Sequence, residues 1–103
     1  MIYVLSTNIV VPGKMAQYFE IAEKAQPMYP KLGMKIVGSW HGYTGNMNAI
    51  YVLYAYDDLA ALQKAAEARR TNTEWRTIYA AVNSLITSQT GTILEPNPWS
   101  PLK

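Results

Sequence analysis

Residues 2–11 alternate between two rows, Tyr3, Leu5, Thr7 and Ile9 on one and Val4, Ser6, Asn8 and Val10 on the other. A period of two rich in β-branched residues predicts a strand whose faces meet different surroundings. Pro12-Gly13 ends it. Over 14–26 the period changes: Met15, Tyr18, Phe19, Ala22 and Ala25 fall at helical spacing and form one apolar stripe. Pro27 and Pro30 then break or kink the chain, because proline lacks a backbone donor and clashes with the preceding turn, and Gly33 closes the segment. Strands are predicted over 34–42 and 49–56, joined by the turn-rich run Gly42-Tyr43-Thr44-Gly45-Asn46-Met47-Asn48. Asp57 or Asp58 caps a helix running to about Arg70. Thr71-Asn72-Thr73-Glu74 reads as a capping box opening a third helix, with Trp75, Ile78, Tyr79, Val82 and Leu85 or Ile86 on one face. Residues 87–94 form the last strand, and the tail packs as an extended segment anchored by Trp99 and Leu102.

The order β-α-β-β-α-α-β predicts an α+β, ferredoxin-like fold: a four-stranded antiparallel sheet with helices on one face and a split second helix. Both rows of the third strand are apolar or aromatic, Val52, Tyr54 and Tyr56 against Tyr51, Leu53 and Ala55, and either row fits the face without helices. Both faces therefore call for cover. One 103-residue chain has helices for only one of them. A second copy supplies the other, the two sheets closing into a dimeric α/β barrel around a cavity.

Length predicts a single domain over 1–103. A net charge of +2 is too balanced for a nucleic-acid protein, and the Arg69-Arg70 pair reads as cations at a helix C-terminus. The absence of cysteine excludes disulfides, thiolate metal sites and a cysteine nucleophile. No apolar run approaches the roughly 18 residues of a membrane span. Met1-Ile2-Tyr3 enters strand-like sequence without a basic leader, so the expected location is the cytoplasm. Eight tyrosines and three tryptophans suit a lined pocket or an interface better than a plain aliphatic core.

Several segments in register resemble one family. They are Val11-Pro12-Gly13-Lys14, Val37-Gly38-Ser39-Trp40, Asn48 with the strand to Ala55-Tyr56-Asp57, Glu74-Trp75, Ser88-Gln89, and the tail Ile93-Leu94-Glu95-Pro96-Asn97-Pro98-Trp99-Ser100-Pro101-Leu102. In order and length the chain resembles the NIPSNAP family, which implies the dimeric α/β-barrel fold and a cavity. Where that family carries Glu, Arg and Tyr on strand one, this chain has Val4, Ser6 and Asn8; where strand three offers Asn-Glu, then His and Trp, it has Asn48-Ala49, then Val52 and Tyr54. Tyr43 and Thr92 also stand at positions the family fills with charge. The resemblance thus implies an unusually neutral cavity, suited to apolar or aromatic ligands rather than carboxylates and phosphates.

His41 is the only histidine. With Met34 and Ile36 on the helix-covered row, alternation sends Ser39 and His41 to the barrel cavity or its mouth, where imidazole suits general acid–base work. Asn8, Ser6, Tyr54 and Tyr56 are the neutral hydrogen-bonding groups expected to orient a ligand or hold an enolate, with Val4, Trp40, Tyr43 and Val52 completing the substrate-binding set. His41, Tyr54 and Asn8 form the expected catalytic group. No phosphate loop, nucleotide fingerprint or nucleophile elbow is present, and one histidine without cysteine cannot build an ordinary zinc site. No cofactor is expected, although some barrels of this fold take an axial haem histidine. Three functions follow. The first is a cofactor-independent cyclase or isomerase of small-molecule metabolism, with His41 and Tyr43, Tyr54 or Tyr56 matching the histidine and tyrosine of polyketide-type cyclases. The second is a cofactor-free monooxygenase of the antibiotic-biosynthesis type, using Asn8, Trp40 and Tyr54. The third is a homodimer that binds a ligand or partner without catalysis.

Overall fold

A computed structural model describes residues 1–103. Its elements are β1 (Ile2–Val10), α1 (Met15–Ala25), α2 (Met28–Lys31), β2 (Lys35–His41), β3 (Ala49–Tyr56), α3 (Leu59–Thr71), α4 (Thr73–Asn83) and β4 (Ile86–Leu94). The strands form one antiparallel sheet in the order β2-β3-β1-β4. This is the expected α+β, ferredoxin-like fold.

One helix start is decided between its two candidates and one differs from expectation. Asp58 caps α3, its Oδ1 accepting from the Ala61 amide at 2.8 Å. The cap of α4 is Asn72, not Thr71: Asn72 Oδ1 accepts from the Trp75 amide at 2.8 Å. Thr71 still belongs to α3, and its hydroxyl donates back to the carbonyls of Glu67 and Ala68. The short helix α2 was not expected. Pro30 is tolerated there because a first-turn amide has no intrahelical acceptor to lose. Gly33, at φ +76°, closes it in the left-handed region, and the Met34 amide donates to the Tyr29 carbonyl at 2.9 Å.

The row Val4, Ser6, Asn8 and Val10, with Ile50, Val52, Tyr54 and Tyr56, faces the helices. Val10, Ile50 and Val52 pack with Tyr18 and Leu85 in one cluster. Tyr56 packs with Met28, Leu32, Met34 and Ala65 in a second, and Tyr54 touches both. Tyr51, Leu53 and Ala55 therefore take the opposite row with Tyr3, Leu5 and Ile9. The residues expected to line a cavity between two copies thus lie beneath the chain's own helices.

The face of His41 is corrected by the same route. The register of β2 on β3 steps between Ile36 and Gly38, making Val37 an extra residue in the strand. Ile36 pairs with Tyr54, Ser39 with Val52 and His41 with Ile50, all on the helix side. Strict alternation put Ile36 and His41 on opposite faces, and the bulge reverses that. On the other face Gly38 pairs with Leu53 and Trp40 with Tyr51. There Trp40 is 55% and Tyr51 37% exposed, so a single copy leaves aromatic sheet surface in water.

Candidate functional site

The space between sheet and helices holds two adjoining cavities. The inner one, about 250 Å³, has Ser6, Asn8, Val52, Tyr54 and His41 as its floor. Tyr18, Phe19 and Tyr29 close it from α1 and α2, and Trp75, Ile78 and Val82 close it from α4. The outer one, about 1260 Å³, is an open cleft beside α3 and α4 that includes Val4, Tyr56, Leu62, Arg69, Arg70, Arg76 and Gly91. Ser6, Tyr54, Trp75, Tyr79 and Gln89 border both. Strand register sets the spacing. His41, Ile50, Asn8 and Gln89 lie in one line across the sheet. With adjacent strands roughly 4.8 Å apart, the backbones at His41 and Asn8 are about 10 Å apart.

Asn8 is the one buried polar residue of the core. Its Nδ2 donates to the Tyr18 hydroxyl at 3.0 Å, while its Oδ1 is buried without a partner. Such an orphaned acceptor costs about 1–3 kcal/mol. A ligand carrying an O–H or N–H would remove that cost. The Tyr18 hydroxyl accepts from Asn8 and keeps its own proton to donate.

Three tyrosines of this space, Tyr18, Tyr29 and Tyr54, stay neutral. Burial raises Tyr18 above its ordinary value, against the opposing bond from Asn8. Burial likewise raises Tyr29, partly offset by its hydroxyl contact with Tyr54. Tyr54 is pushed furthest, by burial first and then by the neighbouring Tyr29. All three are hydrogen-bonding groups rather than bases. The rings of Tyr29 and Tyr54 begin a continuous wall: Tyr29 lies 6.0 Å from Tyr54 and meets Trp75 edge-on at 5.4 Å. Trp75 stacks on Tyr79 at 6.2 Å, and the Tyr79 hydroxyl donates to Gln89 Oε1 at 2.5 Å. His41 stands at the sheet edge, exposed, its ring 5.7 Å from Phe19 in an edge contact. It is therefore open to solvent while bordering the cavity. No group of three His, Asp or Glu side chains is placed to hold a metal ion.

The NIPSNAP family model matches residues 3–101. The chain belongs to the NIPSNAP family. It is similar to a NIPSNAP family protein from Agrobacterium tumefaciens, with 19% identity, a TM-score of 0.92, and 99% of this chain and 98% of that one covered. An uncharacterized NIPSNAP domain protein from Burkholderia xenovorans gives 19% identity and a TM-score of 0.89 over 98% and 99% of the two chains. A putative antibiotic biosynthesis monooxygenase from Bordetella bronchiseptica shares the fold at 11% identity, with a TM-score of 0.76 over 93% and 96%. No functionally curated protein matches significantly. No helix of this NIPSNAP protein is long and apolar enough to cross a membrane.

Most of the expected site residues converge. Asn8, Ser6, Val52, Tyr54 and His41 border the inner cavity, while Val4 and Tyr56 border the outer cleft. Two do not belong. Tyr43 lies in the β2–β3 connection, is 91% exposed and borders neither cavity. Trp40 touches the rim of the inner cavity, but its indole lies over Gly38 on the opposite face. Sequence reasoning left Tyr18, Tyr29, Trp75 and Gln89 out of the site. Tyr18 was visible as the one hydroxyl in the α1 stripe, a group that needs a partner when buried.

Proposed function

We propose that this NIPSNAP protein is a homodimer that binds a flat, largely aromatic small molecule between sheet and helices and acts on it by cofactor-independent acid–base chemistry, as an isomerase or cyclase. The observation that carries the reading is the unpaired, buried Oδ1 of Asn8 inside an aromatic-walled cavity. A ligand hydroxyl or amide donates to that oxygen, and its rings pack against Tyr29, Tyr54 and Trp75. His41, whose backbone lies about 10 Å from that of Asn8 along the same line of residues, reaches in from the sheet edge and takes a proton from carbon at the cavity mouth. The resulting enolate oxygen accepts from the Tyr18 hydroxyl and the second N–H of Asn8. Where the enolate is conjugated with a further double bond, returning the proton from the imidazolium to the far carbon of that system completes an isomerisation. If the enolate carbon instead attacks a carbonyl of the same molecule, the imidazolium protonates the alkoxide formed and a ring closes. The dimer is formed by the helix-free row, with Leu5, Ile9, Tyr51, Leu53 and Trp40 at its centre; a standard interface hides about 800 Å² per partner.

The test is deuterium exchange at the α-carbon of 2-tetralone in D₂O. The reading expects exchange faster than in buffer and dependence on His41. Binding without exchange leaves a non-catalytic ligand carrier. A second reading, oxidation of an electron-rich aromatic by dioxygen, is favoured by the shared fold with the putative monooxygenase. Oxygen uptake with 1,4-dihydroxynaphthalene above the buffer rate would support it in place of the first.

A further inference from the structure

We propose that the outer cleft is an anion site continuous with the aromatic pocket, so that the ligand carries a carboxylate or phosphate held by Arg69 and Arg76. The inference rests on the pocket reading above and names the ligand's second end. Only two ion pairs form in the molecule, Lys24 with Glu20 and Arg70 with Glu67. Of the three arginines bordering the cleft, Arg70 is therefore neutralised and the other two have no carboxylate. Arg69 is half-buried, and its side chain reaches only neutral acceptors, the Tyr56 hydroxyl at 3.4 Å and Met34 Sδ at 3.3 Å. A guanidinium has five N–H donors. Here one nitrogen is engaged, at long range, in a setting where an unpaired charge is costly. The dipole of α3 accounts for Arg69 and Arg70 in its last turn, but Arg76 lies near the start of α4, where a cation is disfavoured. An anion in the cleft meets both needs. No Asp, Glu, Lys or Arg lines the inner cavity, which selects the ring system, while the cleft selects the charge, a departure from the expectation that carboxylates and phosphates would be disfavoured.

The experiment compares affinities of 1-naphthol, 1-naphthaleneacetate and 1-naphthyl phosphate by calorimetry. The anions are expected to bind about tenfold tighter than 1-naphthol at low ionic strength. That advantage should shrink as salt rises from roughly 20 mM to roughly 200 mM. Arg76→Glu, an exposed change that suits its helix position, should abolish most of the advantage and leave 1-naphthol unchanged. Arg69→Lys, which keeps the charge but loses the fork, should retain part of it. Equal affinity for the three compounds, or an advantage that survives Arg76→Glu combined with Arg69→Gln, overturns the anion site alone. Failure of 1-naphthol and of both anions to bind overturns the pocket reading together with it.

Discussion

Replacing Asn8 separates a residue kept for function from one kept for stability. Asn8→Leu removes an unpaired buried acceptor, whose presence costs about 1–3 kcal/mol, and one neutral hydrogen bond, worth about 0.5–1.5 kcal/mol. It also takes the donor away from the Tyr18 hydroxyl. The single variant should therefore be close to neutral. Asn8→Leu combined with Tyr18→Phe removes acceptor, bond and hydroxyl together, and central values leave a gain of about 1 kcal/mol. For a domain of this size that raises Tm by about 4–8 °C. Urea and thermal unfolding at one fixed protomer concentration measure it, since any association makes Tm concentration-dependent. Affinity for 1-naphthol should fall about 2- to 10-fold in both variants, the worth of one neutral hydrogen bond. Loss of more than about 2 kcal/mol in the double variant, with 1-naphthol affinity intact, would refute the reasoning. Asn8 Oδ1 would then serve the fold through an ordered water.

Three further outcomes are expected. His41→Ala and His41→Gln should each lower turnover by about 100- to 10,000-fold, with melting nearly unchanged because His41 is exposed; full activity in His41→Gln would move the chemistry to the tyrosines and Asn8. Stability should fall as pH rises above about 10, the ordinary tyrosine value: Tyr18, Tyr29 and Tyr54 are raised in the folded state, so the unfolded chain releases those protons first. Tyr54→Phe should flatten that alkaline slope, measured by urea unfolding across pH, and an unchanged slope would contradict the assignment. Leu53→Glu should convert a dimer to a monomer in light scattering, whereas a wild-type monomer at micromolar concentration would sink the dimer itself.

The sequence carried the fold well because its signals were periodic. The two rows of β1 and the stripe of α1 are patterns that sheet and helix packing cannot ignore. What it hid were single-residue events. One bulge at Val37 reverses the phase of β2 and carries His41 from one face to the other. A one-residue choice between Thr71 and Asn72 decides which side chain caps α4, since both can accept from a helix amide. The two rows of β3 are equally apolar, so no pattern along the chain told which lay under the helices. That is why Asn8, Tyr54 and Val52 could be placed together on one row yet assigned to a cavity between copies. The aromatic wall was beyond reach for another reason: Tyr29 sits in a proline-flanked segment read as a break, and only tertiary packing brings it to Tyr54 and Trp75.

The central claim is that the pocket lies between the sheet and the chain's own helices and is built around Asn8. Titrating isotope-labelled protein with 1-naphthol while following side-chain NMR signals tests this directly. The account predicts saturable shifts at the Asn8 side-chain amide, the Trp75 indole and the Ile50 and Val82 methyls, with Leu5 and Leu53 on the opposite row unmoved. Saturable shifts confined to Leu5, Leu53 and Trp40, or no saturable shift at all, would contradict it.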